Sequence, residues 1–367
     1  MKYRCEFRIP GPVVVAIPAR DEEQRIGACL AALARQSVSA DHIVLQLNNC
    51  VDNTTAVARN IPVPANTKLH VLECALPKHR ANAGHARRLA MARAAALAGD
   101  RGILMTTDAD GCVDPDWIEC NLRALDAGAD AIAGWAEIDP VDAATIPRAL
   151  HDDDARECVY DTLCDEIEAL LDPDPNDPWP RHTQHSGASI AVSVSAYRRS
   201  GGIPAVKSGE DRAFFAALRR ADARIRHAQE CHVWVSGRTE GRAAGGMAET
   251  IRRRMTTPDR YIDDRLEPVE DWVRRIQLRR LSRLIYHNSG PLAELAGATE
   301  LDAPTLRALL RAQTFGAVWS MIETSSPTLQ RRLVATTELA ALTARARTMR
   351  DRLRATFNSE IDAEAAD

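Results

Sequence analysis

Apolar residues in the first 135 positions fall into short blocks separated by segments with helical spacing. Val13–Ile17 is a β-branched apolar run, and Ile43–Leu47, Leu69–Leu72, Gly102–Thr107 and Ala129–Trp135 repeat the strand-like pattern. Between them, Glu22–Gln36 puts Ile26, Leu30 and Leu33 on one helical face. Thr54–Arg59 and the alanine-rich Ala83–Leu97 are further predicted helices. Asp114–Ala127 reads as a helix with Asp114 as N-cap and Pro115 at its first position. Strands alternating with helical stretches predict an α/β fold: a doubly wound, mostly parallel sheet flanked by helices.

The rhythm breaks at residues 139–185. A polar helix is predicted over Ile146–Leu171, followed by prolines at 173, 175, 178 and 180 that mark an ordered loop or lid. Ser189–Val194 and Ile225–Ser236 read as strands, with a helix over Glu210–Arg220 between them. Gly237–Gly246 is glycine-rich and expected to be mobile. From Met247 the pattern is helical, with turn signals at Gly290-Pro291 and near Pro304 and Pro327, and Glu360–Asp367 is expected to be disordered. The organisation expected is an α/β domain over residues 1–246 and an all-helical appendage over 247–367, without internal repeats.

Charge narrows the function classes. With 47 basic and 51 acidic side chains the net charge is −4, which argues against a general nucleic-acid binder. Lysine occurs only at positions 2, 68, 78 and 207, so nearly all cations are arginines. Codon bias in a GC-rich bacterial genome explains that excess, and anion recognition by guanidinium forks is the functional alternative. No apolar run approaches the ~18 residues of a membrane span. The charged start MKYRCEFRIPGPVVVAIPAR does not read as a signal peptide, so the mature chain is expected to begin near Met1. Nine scattered cysteines without a CxxC fit reduced thiols of a cytoplasmic protein, and they exclude zinc ribbons and disulfide scaffolds.

The candidate chemistry gathers where the predicted strands end. Asp108-Ala109-Asp110 follows a strand directly, where two carboxylates can meet a divalent metal and a ribose hydroxyl, although such a pair alone is also an ordinary acidic turn. Pro18-Ala19-Arg20-Asp21-Glu22-Glu23 ends the first strand and Asn48-Asn49-Cys50-Val51-Asp52-Asn53-Thr54 the second, and Ala83-Gly84-His85-Ala86-Arg87 opens the helix before the Asp-X-Asp strand. Turn chemistry or capping explains each segment singly. Together they line the face on which a nucleotide lies in a doubly wound sheet.

The VVVAIPARDEE start, the NNCVDNT loop, the GHARRLAMARA helix, the DADGCVDPDWI segment and Gly209-Glu210-Asp211 before Phe214, in this order, resemble the family 2 glycosyltransferases of the GT-A fold. The resemblance covers roughly residues 12–240. It implies a nucleotide-sugar half over residues 1–135 and an acceptor half over 136–246. It further implies that Pro18, Arg20 and Glu22 contact the nucleoside, that Asp108 and Asp110 bind the donor diphosphate with Mn²⁺ or Mg²⁺ on Asp110, and that Asp211 is the general base. Glu210 joins Asp211 in the catalytic pair or binds the acceptor, with N-terminal helix capping as the plain alternative. Asn49 stands where the family usually carries an acidic base contact, which leaves uridine, guanosine and thymidine donors open. Arg87 either reaches the base or a phosphate or lies on a helix surface.

Other residues have more than one reading. His232 matches a metal-ligand histidine of some relatives, or is a hydrogen-bonded strand residue. Arg238 and Arg242 either close over the diphosphate or belong to a solvated hinge. Trp179, His182 and His185 lie where the family architecture puts the acceptor, and a tryptophan between prolines is as often structural packing. Arg274, Arg275, Arg279, Arg280 and Arg283 interleave with apolar residues, as a solvated basic face, a lipid-binding surface or a homodimer contact would.

The expected activity is metal-dependent transfer of a sugar from a nucleotide-diphosphate donor to an acceptor hydroxyl on a small or lipid-linked molecule. Inversion is the expected course, with retention open. A sugar-1-phosphate nucleotidyltransferase is a weaker alternative, because the loop after the first strand has no glycine before Gly27. A nucleotide-sugar-binding protein without turnover is the non-enzymatic one.

Overall fold

The computed structural model describes residues 11–241, 245–288 and 290–364, with side chains through 356. The described chain forms two compact units: residues up to Ile146 with His182–Arg253, and Pro147–Arg181 with the chain from Arg254 onward. The linear division expected after residue 246 therefore gives way to an interleaved one, in which the polar helix near residue 150 groups with the C-terminal helices.

The first unit is built on one eight-stranded sheet. Its strands are β1 (Val13–Ala19), β2 (His42–Asn48), β3 (Lys68–Cys74), β4 (Ile103–Thr106), β5 (Cys112–Val113), β6 (Ala131–Ile138), β7 (Ile190–Ser193) and β8 (Ile225–Val235), in the order β3-β2-β1-β4-β7-β6-β8-β5. The β3-β2-β1-β4 ladders and the β6-β8 ladder are parallel. Strand β7 runs antiparallel between β4 and β6, and β5 antiparallel to β8.

The continuous apolar run of β1 reflects burial on both faces. Val13, Val15 and Ile17 pack in one layer with α1 (Ile26–Ala34), and Val14 and Ala16 in the other with α3 (Ala83–Ala98). Helix α2 (Thr54–Arg59) follows β2, α4 (Trp117–Asp126) precedes β6, and the one-turn α5 (Pro140–Ala143) follows β6. The unit then continues through α7 (Val194–Arg199) and α8 (Glu210–Arg220).

Three local expectations are corrected. The helix expected from Glu22 begins at Ile26, because Asp21 adopts φ 54° and the Glu22 N–H donates to Thr54 Oγ1 (2.7 Å), turning the chain before it can wind. Helix α4 begins at Trp117 and Asp114 does not cap it: the unpredicted strand β5 pairs with β8, and the Asp114 carboxylate is drawn to His232 Nδ1 at 2.9 Å. The C-terminal helix continues to Glu364, and the last three residues of the expected tail lie outside the described residues.

The second unit contains α6 (Arg148–Leu171), α10 (Val269–Tyr286), α11 (Leu292–Thr299), α12 (Ala303–Leu309), α13 (Phe315–Ser325) and α14 (Leu339–Glu364); α9 (Met247–Thr256) lies at the junction in sequence. Tyr160, Leu163 and Ile167 of α6 share a core with Trp272 and Ile276 of α10 and Leu342 and Ala346 of α14. The arginines of α10 are not an uncompensated basic face. Arg275 makes a two-pronged pair with Glu267, Arg279 binds Asp172 (2.9 Å) and Glu168 (3.0 Å), and Arg283 pairs with Asp172. Arg274 pairs with Asp271 and Arg280 donates to the Leu171 carbonyl, and three of the five arginines behind the lipid-surface expectation are thus committed to carboxylates across the unit. Among the described residues no helix is long and apolar enough to cross a membrane.

Candidate functional site

The site forms at the carboxyl ends of β1, β2 and β4, beside the point where antiparallel β7 joins the parallel strands. The loops after β1 and β2 are stitched into one wall. Asp21 Oδ1 accepts from the Val51 N–H (2.8 Å), Asp52 Oδ2 from the Glu23 N–H (3.0 Å), and Glu23 Oε2 from the Asn53 N–H (2.9 Å). Burial alone would raise the Asp52 carboxyl, but hydrogen bonds from Thr54 and the Glu23 backbone hold it below its ordinary value. Asn49, in left-handed backbone (φ 56°), uses both ends of its amide on the Leu76 backbone, at 3.0 and 3.1 Å. Its side chain thus fastens the wall to the segment after β3, where the sequence suggested a base contact. Arg20 remains 39% exposed on the same wall, with Pro18 inside β1 behind it.

Next to this wall lies an acidic centre. The Gly111 N–H closes the turn on the Asp108 carbonyl (3.2 Å), presenting Asp108 and Asp110 beyond β4. Burial raises the Asp110 carboxyl to about 6, and the charges of Asp108 and Glu22 push the same way, while Arg238 opposes them. Arg238 lies 3.0 Å from Asp110 Oδ2 and grips both oxygens of the buried Glu22, with Nη1 at 2.7 Å from Oε2. Burial pulls the Arg238 guanidinium down, but Glu22 and Asp110 more than compensate and hold it charged. Arg242 lies outside the described residues.

Arg87 sits behind this centre at 4% exposure, so the helix-surface reading is overturned. Its guanidinium donates to Asp108 Oδ1 (2.5 Å), Thr106 Oγ1 (2.8 Å), the Gly187 carbonyl (2.8 Å) and Glu210 Oε1 (3.0 Å). Desolvation works against its charge, but the two carboxylates outweigh it and raise its pKa. Gly84 allows α3 to approach this closely, since a Cβ there would stand 2.5 Å from the Val206 carbonyl.

Glu210 and Asp211 open α8, and the structure separates them. Glu210 is 6% exposed and faces Arg87, whereas Asp211 accepts the Gly187 N–H on Oδ2 (3.0 Å) and the Arg212 N–H on Oδ1 (2.8 Å). Burial and the neighbouring Glu210 raise the Asp211 carboxyl above its ordinary value.

The histidines distribute differently. His232 Nδ1 meets Asp114 at 2.9 Å and Nε2 faces Glu137 at 3.6 Å. His185 stacks on Phe215 with centroids 4.5 Å apart, and its Nε2 lies 3.0 Å from Arg219 Nη2 and 3.1 Å from His227 Nε2. Burial, then the Arg219 charge, pushes His185 well below the ordinary histidine range, so it is a neutral packed ring. His182 packs edge-on to Trp135 and His227 (5.2 and 5.4 Å) and accepts the Gln184 N–H on Nδ1. Trp179 belongs to the second unit, whereas His182 and His185 belong to the first.

The geometry thus unites Glu22, Arg87, Asp108, Asp110, Glu210, Asp211 and Arg238. Thr106 and Gly187 are added to the site. The sequence signalled them only as the last residue of an apolar strand and the glycine of a HSG turn.

The acidic centre suits a hard dication, because carboxylates are the preferred donors and Asp110 holds more negative surroundings than one arginine balances. Asp110 and Asp108 are the residues that would hold it. Among the described residues the one set of three metal-type ligand atoms within 4.8 Å is Asp21, Cys50 and Asp52, outside this centre. Burial raises the Cys50 thiol there, and both carboxylates accept backbone N–H groups of the loop wall.

Residues 14–183 match the family model described as glycosyl transferase family 2. No curated protein matches the chain. Similar solved structures include S. aureus TarS residues 1–349 in complex with UDP-GlcNAc (15% identity, TM-score 0.45, 85% of this chain and 91% of that one). Another is the glucosyl-3-phosphoglycerate synthase from Mycobacterium tuberculosis in complex with Mn²⁺, UDP and phosphoglyceric acid (15% identity, TM-score 0.41, 69% of this chain and 82% of that one).

Proposed function

We propose, on the match of residues 14–183 to the glycosyl transferase family 2 model, that the chain moves a sugar from a nucleoside-diphosphate donor to an acceptor hydroxyl with inversion. The observation that carries the reading is the convergence of Asp108, Asp110 and Glu22 beyond the parallel strands, with Asp211 joined to the same network through Gly187 and Arg87.

The loop wall of Arg20 to Thr54 orients the nucleoside, being fixed by its own hydrogen bonds before the donor arrives. Asp108 and Asp110 would hold Mn²⁺ or Mg²⁺, which when bound would supply positive charge to the departing diphosphate. Arg238, freed from Glu22, offers a forked donor to the same phosphates. Asp211 takes the proton of the acceptor hydroxyl as its oxygen attacks the anomeric carbon. The carbon–oxygen bond to the diphosphate breaks on the opposite side and its electron pair leaves with the nucleoside diphosphate. Positive charge builds on the sugar ring in between. A base of this kind contributes about 10²–10⁴-fold. His232 is proposed as an extra metal ligand through Nε2, with Nδ1 held by Asp114. Trp179, His182 and His185 are proposed as acceptor-side residues.

The test is a donor panel (UDP-, GDP- and dTDP-sugars) with Mn²⁺ or Mg²⁺, scored for nucleoside diphosphate release and donor binding. Wild-type turnover, abolished in Asp110→Ala and Asp211→Ala, is the expected outcome. Unchanged binding and turnover in both variants overturns the assignment.

A further inference from the structure

We infer that Arg87 is a positioning residue that ties the donor carboxylate Asp108 to the proton acceptor Asp211, and that it does not itself bind the donor. The inference rests on the glycosyl-transfer reading above for the roles of those two carboxylates.

The case begins with geometry. Each nitrogen of the Arg87 guanidinium has a protein acceptor: Nε on Glu210, Nη1 on Thr106 and Gly187, Nη2 on Asp108. At 4% exposure the group has no open face to turn toward a phosphate or a base. Its four acceptor residues come from three separate parts of the chain. Asp108 follows β4 and Thr106 ends it, Gly187 precedes β7, and Glu210 opens α8. Only a planar fork with several fixed donors can hold that many acceptors at once, which a lysine cannot do.

Gly187 carries the link onward. Its carbonyl accepts from Arg87 and its N–H donates to Asp211 Oδ2, so the rotamer of Asp211 depends on where the Gly187 backbone is held. Glu210 adds a second path, since it sits in α8 immediately before Asp211 and is pinned by Nε. The site also excludes a substitute: a Cβ on residue 187 would lie 2.6 Å from Arg87 Nη2. Loss of Arg87 therefore relaxes donor and acceptor ends together, which is how a group that touches neither substrate alters the chemical step.

The experiment has two readouts. In the ligand-free protein, amide exchange of the peptide covering residues 184–190 should rise at least tenfold in Arg87→Lys, while peptides of β1 and β2 keep their protection. Glu210→Gln, which keeps the shape of the acceptor, serves if Arg87→Lys melts early, and a rise of about threefold is then expected. Kinetics use whichever of UDP-glucose, GDP-mannose and dTDP-glucose turns over with Mn²⁺. Arg87→Lys should lower kcat by 30-fold or more with the donor KM within threefold. In the double variant with Asp211→Asn the loss should be close to that of Asp211→Asn alone. Unchanged exchange, a tenfold rise in donor KM at wild-type kcat, or multiplicative losses in the double variant overturns the positioning role. Full activity in Asp211→Asn removes the base reading, and the bridge to it falls with that result.

Discussion

Arg238 holds both oxygens of the buried Glu22 carboxylate while one of its nitrogens lies 3.0 Å from Asp110. A guanidinium therefore lies beside Asp110, where the proposed metal would bind. A dication arriving at Asp110 competes with that positive charge. Arg238→Ala is expected to bind Mn²⁺ alone more tightly, by roughly tenfold, the factor that corresponds to about 1.4 kcal/mol of repulsion removed. The same variant should bind a nucleoside diphosphate with Mn²⁺ more weakly, because the fork proposed to reach the phosphates is gone. Titration calorimetry with the metal alone and with the metal plus UDP, GDP or dTDP separates the two effects. Equal metal affinity in wild type and variant would contradict the competition.

Asp110 makes the site a local liability for stability. Its folded-state value of about 6 lies above the 3.8 of an ordinary aspartate, so the folded protein binds the proton more tightly than the unfolded chain does. Stability from this group accordingly falls as pH rises from about 4 to about 6, and the penalty is fully present at pH 7. Its side chain is 21% exposed, which keeps solvent screening modest. Asp110→Asn should therefore stabilise the ligand-free protein at pH 7 by about 2 kcal/mol, below the roughly 3 kcal/mol ceiling that a shift from 3.8 to about 6 sets. Denaturant melts at pH 7 and pH 4.5 provide the check: the gain should shrink towards zero at the lower pH.

As the proposed base, Asp211 must be ionised to accept a proton, and burial with the adjacent Glu210 raises its pKa. Activity is then expected to fall on the acid side through a carboxyl above the ordinary aspartate value. The cation of Arg87 works in the opposite direction on the same carboxyl. Glu210→Gln removes one raising charge and should move the acid limb of kcat/KM to lower pH. A limb that stays in place would separate it from Asp211.

Much of this was legible in the chain. The β1 run Val13–Ile17 and the Ala83–Leu97 helix read correctly because burial on two faces and an alanine-rich stripe leave strong patterns. The cluster at the strand ends followed from the doubly wound order, since the rule that places ligands there depends on topology alone. What escaped was set by partners distant in sequence. Two-residue β5 has no periodicity to read, yet it draws Asp114 to His232 and removes the predicted cap. Arg87 read either as a base or phosphate contact or as a surface arginine, and the structure instead closes Glu210, 123 positions away, on it. Asn49 resembled a base contact by position, but its amide is complementary to one backbone unit, that of Leu76.

Gly187 offers the sharpest separation of packing from chemistry. It is buried, its backbone is hydrogen-bonded at both ends, and an added methyl would meet the Arg87 guanidinium at 2.6 to 3.1 Å. Such an atom can usually be displaced, but here the guanidinium is held by Asp108, Thr106 and Glu210 as well. Gly187→Ala must either break part of that set or push the 186–188 backbone away from Asp211. Overpacking of this kind typically costs about 1–3 kcal/mol. The expected result is a folded protein with a modestly lowered melting temperature and a disproportionate loss of turnover, about 10²-fold, from a misplaced Asp211. Circular dichroism melts beside single-turnover assays measure both quantities. A variant with wild-type turnover would mean that the Gly187 backbone can shift without moving Asp211.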